Sequence, residues 1–84
     1  MIECKFPRGD VRRLFVVLAA IDALGEDATI VQISENTGVN KGQIATVIDQ
    51  ARDQLGMHID KAGPVYRIRR WGKLVNPDGI RALY

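Results

Sequence analysis

The chain has one cysteine, Cys4, one histidine, His58, and one tryptophan, Trp71. A single thiol cannot close an internal disulfide, so the expected compartment is a reducing one, the cytoplasm. Neither a CxxC nor an HExxH spacing occurs, so zinc has no ligand set. Gly38 and Gly42 stand isolated, and no glycine-rich phosphate loop is present. Long apolar runs are also missing. The longest, LFVVLAAI from Leu14, has about half of the ~18–20 residues that a membrane-spanning helix needs. No basic segment leads into an apolar stretch with a small-residue cleavage site, so no secretory signal is expected. There are no repeats, low-complexity tracts or linkers. Asp49 and Asp53 are paired by spacing, but they fall on a convex helix face and not in a cleft. These absences leave no catalytic constellation. The expected protein is not an enzyme and uses no metal and no cofactor.

What is present is one domain's worth of chain, 84 residues. A domain of this size buries only about 60–65% of its unfolded surface, and dimerisation would be a natural supplement to its stability. The net charge of +2 is unevenly spread. Residues 1–13 hold four basic and two acidic side chains, residues 14–60 two and seven, and residues 61–84 six and one. An acidic middle and a basic end imply that the end meets something anionic, against the plainer reading of a solvated surface.

The periodicity predicts three helices and a hairpin. PRGD at 7–10 breaks the chain, and Asp10 is a good N-cap. Apolar residues at 11, 14, 15, 18, 21 and 24 then mark a helix over Val11–Leu24, ended by Gly25. Val16, Ala19, Ala20 and Ala23 make its other face apolar as well, so it is either buried on both sides or covered by a partner. Thr29 and Gln32 have capping-box spacing for a second helix over Ile30–Thr37. Gly38 stops that helix, Val39 plugs the corner, and Asn40 caps a third helix over Lys41–Leu55. The buried stripe of the third helix is Ile44, Val47, Ile48, Ala51 and Leu55. After Gly56 the period shortens: 57–61 and 65–71 are strand-like, with AGP as the turn. Met57, Ile59, Tyr66 and Ile68 should face the core, with Arg67 and Arg69 outward. Asn76 and Pro77 suggest a short last helix or turn over Pro77–Leu83.

The segment IVQISENTGVNKGQIATVID resembles a helix-turn-helix unit. Ser34 is the small residue four before the turn glycine, Val39 the apolar residue after it, and Ile44 and Val47 the anchors six and nine beyond. With the hairpin, residues 11–71 resemble the winged helix-turn-helix domains of bacterial transcription regulators, of IclR-like or MarR-like type. The resemblance implies a mainly α fold with a small β-hairpin (α+β), namely a three-helix core and a two-stranded wing. The whole chain, 1–84, would be one such domain, with a core over 11–71 and a C-terminal extension over 72–84. It also implies binding of duplex DNA by a small transcriptional regulator. Carried over residue by residue, the groove contacts are Asn40, Lys41, Gln43, Thr46 and Gln50. Lys41 suits guanine, Gln43 and Gln50 suit adenine, and Thr46 suits a thymine methyl or a phosphate. The phosphate contacts are Lys61, Arg67, Arg69, Arg70 and Lys73 on the wing, with Arg12 and Arg13 at the start of the first helix. Asn40 has a second role open to it, as a cap only. Regulators of this class work as dimers, so a homodimer is expected.

Two features pull against this reading. Asp49 and Asp53 share the outward face of the third helix and repel phosphate, unless Asp49 pairs with Arg52 or accepts from a cytosine amine. The alternative is a non-catalytic docking module on the same fold, working through Val16, Ala20 and Ala23 or through the Asp49/Asp53 face. Trp71 is expected to lid the core, His58 to lie on the surface, and Cys4 to be a spectator in a frayed N-terminus. With no effector domain after the wing, regulation is expected to work by occupancy or through a partner.

Overall fold

In the computed structural model, which describes residues 3–83, the corner after the second helix is a closed hydrogen-bond circuit. The second helix, α2 (Ile30–Thr37), ends where Gly38 turns to φ 77 and donates its N–H to the Ser34 carbonyl at 2.8 Å. Glycine takes this left-handed conformation without the Cβ penalty. The Ser34 hydroxyl donates to the Val39 carbonyl at 2.8 Å, and the Val39 N–H donates to the Thr37 hydroxyl. Thr37 in turn donates to the Ile33 carbonyl at 2.7 Å. Thr37 is buried, and this pairing is what makes its burial affordable. Val39 is buried beside it as the plug. Asn40 then accepts from the Gln43 N–H at 2.8 Å and starts α3 (Lys41–Gln54). At the other end of α2, Thr29 accepts from the Gln32 N–H at 3.2 Å, as the capping spacing requires.

The first helix, α1 (Arg12–Leu24), is the centre of the molecule. It begins one residue later than the expected Val11. The N–H groups of Arg13 and Leu14 bond back only three residues, to Asp10 and Val11 at 3.1 Å each, and this tightens the first turn. Val11 stands at its N-cap, and the Asp10 side chain, one residue earlier, accepts from the Arg12 N–H at 2.9 Å. Every residue from Val16 to Ile21 is buried, so both faces of α1 are covered by its own chain. α2 and α3 pack against it, and so does the last helix, α4 (Pro77–Arg81). Val16 is 4% and Ala20 1% exposed; only Ala23 of the expected docking face reaches solvent. That docking surface is therefore corrected: it is core. The C-terminal extension over 72–84 contributes to the buried core as well. Val75 and Ile80 belong to the same buried cluster, and an Arg81–Asp22 pair at 3.2 Å ties α4 to α1. Trp71 packs against this cluster half-buried. Cys4 is no frayed spectator. Its N–H donates to the Thr37 carbonyl at 2.8 Å, and its side chain packs on the core.

The hairpin consists of β1 (His58–Ala62) and β2 (Val65–Arg70), antiparallel, with Ile59 opposite Ile68 and Lys61 opposite Tyr66. The first strand lies one residue later than expected. Gly63 turns the tip at φ 60. The hairpin is hung on the helices from both edges. Tyr66 donates its N–H to the Ala28 carbonyl at 2.9 Å beside a Thr29–Val65 bridge, so the link between α1 and α2 acts as a short third strand. On the other edge the Arg52 guanidinium donates twice to the Ile59 carbonyl, at 2.9 and 2.7 Å. The layout is that of a small α+β domain compatible with a winged helix. No helix among the described residues is long and apolar enough to cross a membrane.

After the hairpin the chain folds back over the end of α3 at Gly72, where φ is 77 and a Cβ would lie 2.9 Å from the carbonyl oxygens of both Leu55 and Gly56. Gly72→Ala is expected to cost at least about 2 kcal/mol, a left-handed penalty of roughly 1–2 kcal/mol plus backbone strain. Gly63→Ala, where the space is open, should cost only about 1 kcal/mol. Urea unfolding midpoints of the two variants check the order.

Candidate nucleic-acid interface

The buried stripe of α3 (Ile44, Val47, Ile48 and Ala51) fixes which residues face out. Asn40, Lys41, Thr46 and Gln50 are exposed, and Gln43 is half-buried. Gln43, Thr46 and Gln50 share one groove with Asp10, Val11 and Arg13 from the start of α1, of about 400 Å³. Three of the five expected groove contacts thus meet on one side of the helix. Asn40 and Lys41 precede them in its first turn. The Thr46 hydroxyl donates to the Gly42 carbonyl at 3.1 Å. Asp49 lies 3.7 Å from Arg52, the partner foreseen for it. Asp53 has no ion pair among the described residues.

The seven expected phosphate contacts do not form one surface. Arg12 is bound in a two-pronged pair to Asp10, at 2.6 Å for the shorter contact, and its guanidinium lies 4.2 Å from the Phe6 ring. Arg13 donates to the Phe6 carbonyl at 2.8 Å and to Gln43 Oε1 at 2.9 Å. On the outer face of the wing, Arg69 pairs with Asp60 at 3.0 Å and Arg67 stands 3.9 Å from Glu26. Exposed His58 reaches the same Asp60 at 3.0 Å, a pair that is ionic only when the imidazole is protonated. Lys61 lies over Tyr66, its Nζ 5.4 Å from the ring centre. Arg70 and Lys73 line a separate groove with Asp53 at the end of α3. There they sit close to the carbonyl end of the helix dipole, which favours cations. Among the described residues, Lys41, Lys61, Arg70 and Lys73 carry no ion pair. Arg12 and Arg69 would have to exchange a carboxylate for a phosphate. No group of three or more His, Cys, Asp or Glu converges among the described residues.

Two features escaped the sequence. The Arg13–Gln43 bond joins residues 30 apart, which no local pattern encodes. The second is an apolar groove of about 330 Å³ whose lining includes Phe6, Phe15, Leu74, Val75, Ile80 and Leu83. Leu74 on its rim is 73% exposed. Its lining comes from residues 6 to 83, and no local pattern in the sequence brings them together. Compared with protein families, curated proteins and solved structures, the chain finds no match.

The Asp10 carboxyl is lowered from 3.8 to about 2, first by the Arg12 side-chain hydrogen bonds and then by the Arg12 backbone N–H. A depressed carboxyl stabilises the fold fully above its unfolded value, and the contribution fades as pH falls through the folded one. The loss is therefore expected between about pH 4 and pH 2. Carbon-13 NMR titration of Asp10 should give a midpoint near 2. In Arg12→Ala the midpoint should rise towards 3.8.

Proposed function

We propose that the chain binds double-stranded DNA as a small transcriptional regulator of the winged helix-turn-helix kind, placing α3 in the major groove and the hairpin on the phosphates. One observation carries the reading. The first turns of α3 present exposed Lys41, Thr46 and Gln50 and half-buried Gln43 along one side of the helix, while the neighbouring Asp49 lies 3.7 Å from Arg52. Side chains of these types match base edges and phosphates at the depth a helix reaches in the groove. The unpaired Lys41, Lys61, Arg70 and Lys73 supply phosphate contacts without breaking an internal bond. Arg67, Arg69 and Arg12 supply them only by giving up carboxylates. Binding as a homodimer would double the contacts and give the site two-fold symmetry.

A second reading, docking on a protein, is favoured by the apolar groove with its exposed Leu74. It would use that groove and not the buried Val16 and Ala20.

Fluorescence anisotropy on random-sequence duplex, from about 50 to 200 mM salt, separates the two readings. Binding should weaken steeply with salt. Lys41→Ala should flatten the log–log slope by about 0.9, the value of one phosphate contact. Arg69→Ala should change it less, because its charge already faces Asp60. Absence of binding at the low-salt end would overturn the DNA reading and leave the groove as the working surface.

A further inference from the structure

We infer that Arg13 is a positioning residue that turns the Gln43 amide so that α3 selects guanine over adenine; the inference rests on the DNA-binding reading above. A guanidinium has five donors and no acceptor. The Gln43 atom 2.9 Å from Arg13 Nη2 is therefore the amide oxygen, whichever way the side chain is drawn. Arg13 is itself held: its Nη1 donates to the Phe6 carbonyl at 2.8 Å, and the residue is half-buried. It is thus a fixed fork and not a free phosphate contact. The same reasoning applies to Asn40. The Gln43 backbone N–H can only donate, so the Asn40 atom 2.8 Å away is the oxygen. Both amides have their acceptors turned inward. With one lone pair of each oxygen engaged within the chain, the first turn offers a ligand chiefly the Asn40 amino group, the Lys41 ammonium and the Gln43 amino group, all of them donors.

This inverts the base expected of Gln43. A glutamine pairs with adenine by accepting from N6 and donating to N7. With its oxygen held by Arg13, Gln43 would set an amino group against the adenine N6 amino group, donor against donor. Guanine offers acceptors at both O6 and N7. A donor-rich edge favours guanine over adenine by on the order of tenfold. Phosphate would also accept from these donors, but that contact would carry no base preference.

The test uses the full chain. A randomised duplex library is selected, and anisotropy is then measured on the selected duplex and on versions with each guanine changed to adenine. Random duplex at low salt is run alongside. The wild type should enrich guanine in at least one position and lose about tenfold on the change to adenine. Arg13→Ala should bring the guanine-to-adenine ratio towards one, with random-duplex affinity held within about twofold, a pattern that loss of folding cannot produce. Gln43→Ala should lose the same ratio, and it decides alone if Arg13→Ala does not fold. Binding to DNA with no guanine preference, or with a preference that survives both variants, would overturn this inference and leave the DNA-binding reading standing. Failure on random duplex would overturn both.

Discussion

A helix that is apolar all round has to be covered on every side, and the rest of this fold follows from that constraint on α1. Six consecutive residues, Val16 to Ile21, are out of water. At about 25 cal/mol per Å² of apolar surface, leaving either face bare would cost this small domain dearly. α2, α3, α4 and β2 all pack against α1. This cover also sets the geometry of α3. Because Ile44, Val47, Ile48 and Ala51 seat against the core, Thr46 and Gln50 are turned outward beside the start of α1.

The corner between α2 and α3 solves a second problem, that of bending a chain sharply in a buried place. Thr37 and Val39 are buried there, and their polar groups need partners within the chain. Ser34, Thr37, Gly38 and Asn40 provide those partners locally, and the Cys4 N–H provides one from the N-terminal segment. The result is a rigid step that holds α3 at a fixed place relative to α2. Rigid placement is what any reading of a surface by that helix would require.

Charge is distributed with less freedom than the sequence suggests. The basic end and the acidic middle are not left facing a partner as blocks. Arg67, Arg69 and Arg81 come from the basic end and find Glu26, Asp60 and Asp22 in the acidic middle. Such exposed pairs contribute little stability individually. Their larger consequence is to leave only a subset of cations uncommitted, among them Lys41 at the first turn of α3, Lys61 on the wing, and Arg70 and Lys73 at the end of α3.

What the sequence determined by itself was whatever depends on neighbours along the chain. The bounds of α2, the start of α3, the caps at Thr29 and Asn40, the hairpin and the short last helix were all legible. Caps and periodicity are decided within a few residues, and their physics does not wait for tertiary contacts. The buried stripe of α3, Ile44, Val47, Ile48 and Ala51, was legible for the same reason. The tertiary structure decided which elements lie side by side. It covered Val16 and Ala20 with the chain's own residues, brought Cys4 to the buried corner, and gave the arginines of the wing their carboxylates. It also set Arg13 against Gln43 and so turned an amide whose orientation no local pattern could state. A side chain's hydrogen-bonding partner is fixed by distance in space, and across 30 residues of chain only the packing of helices sets that distance.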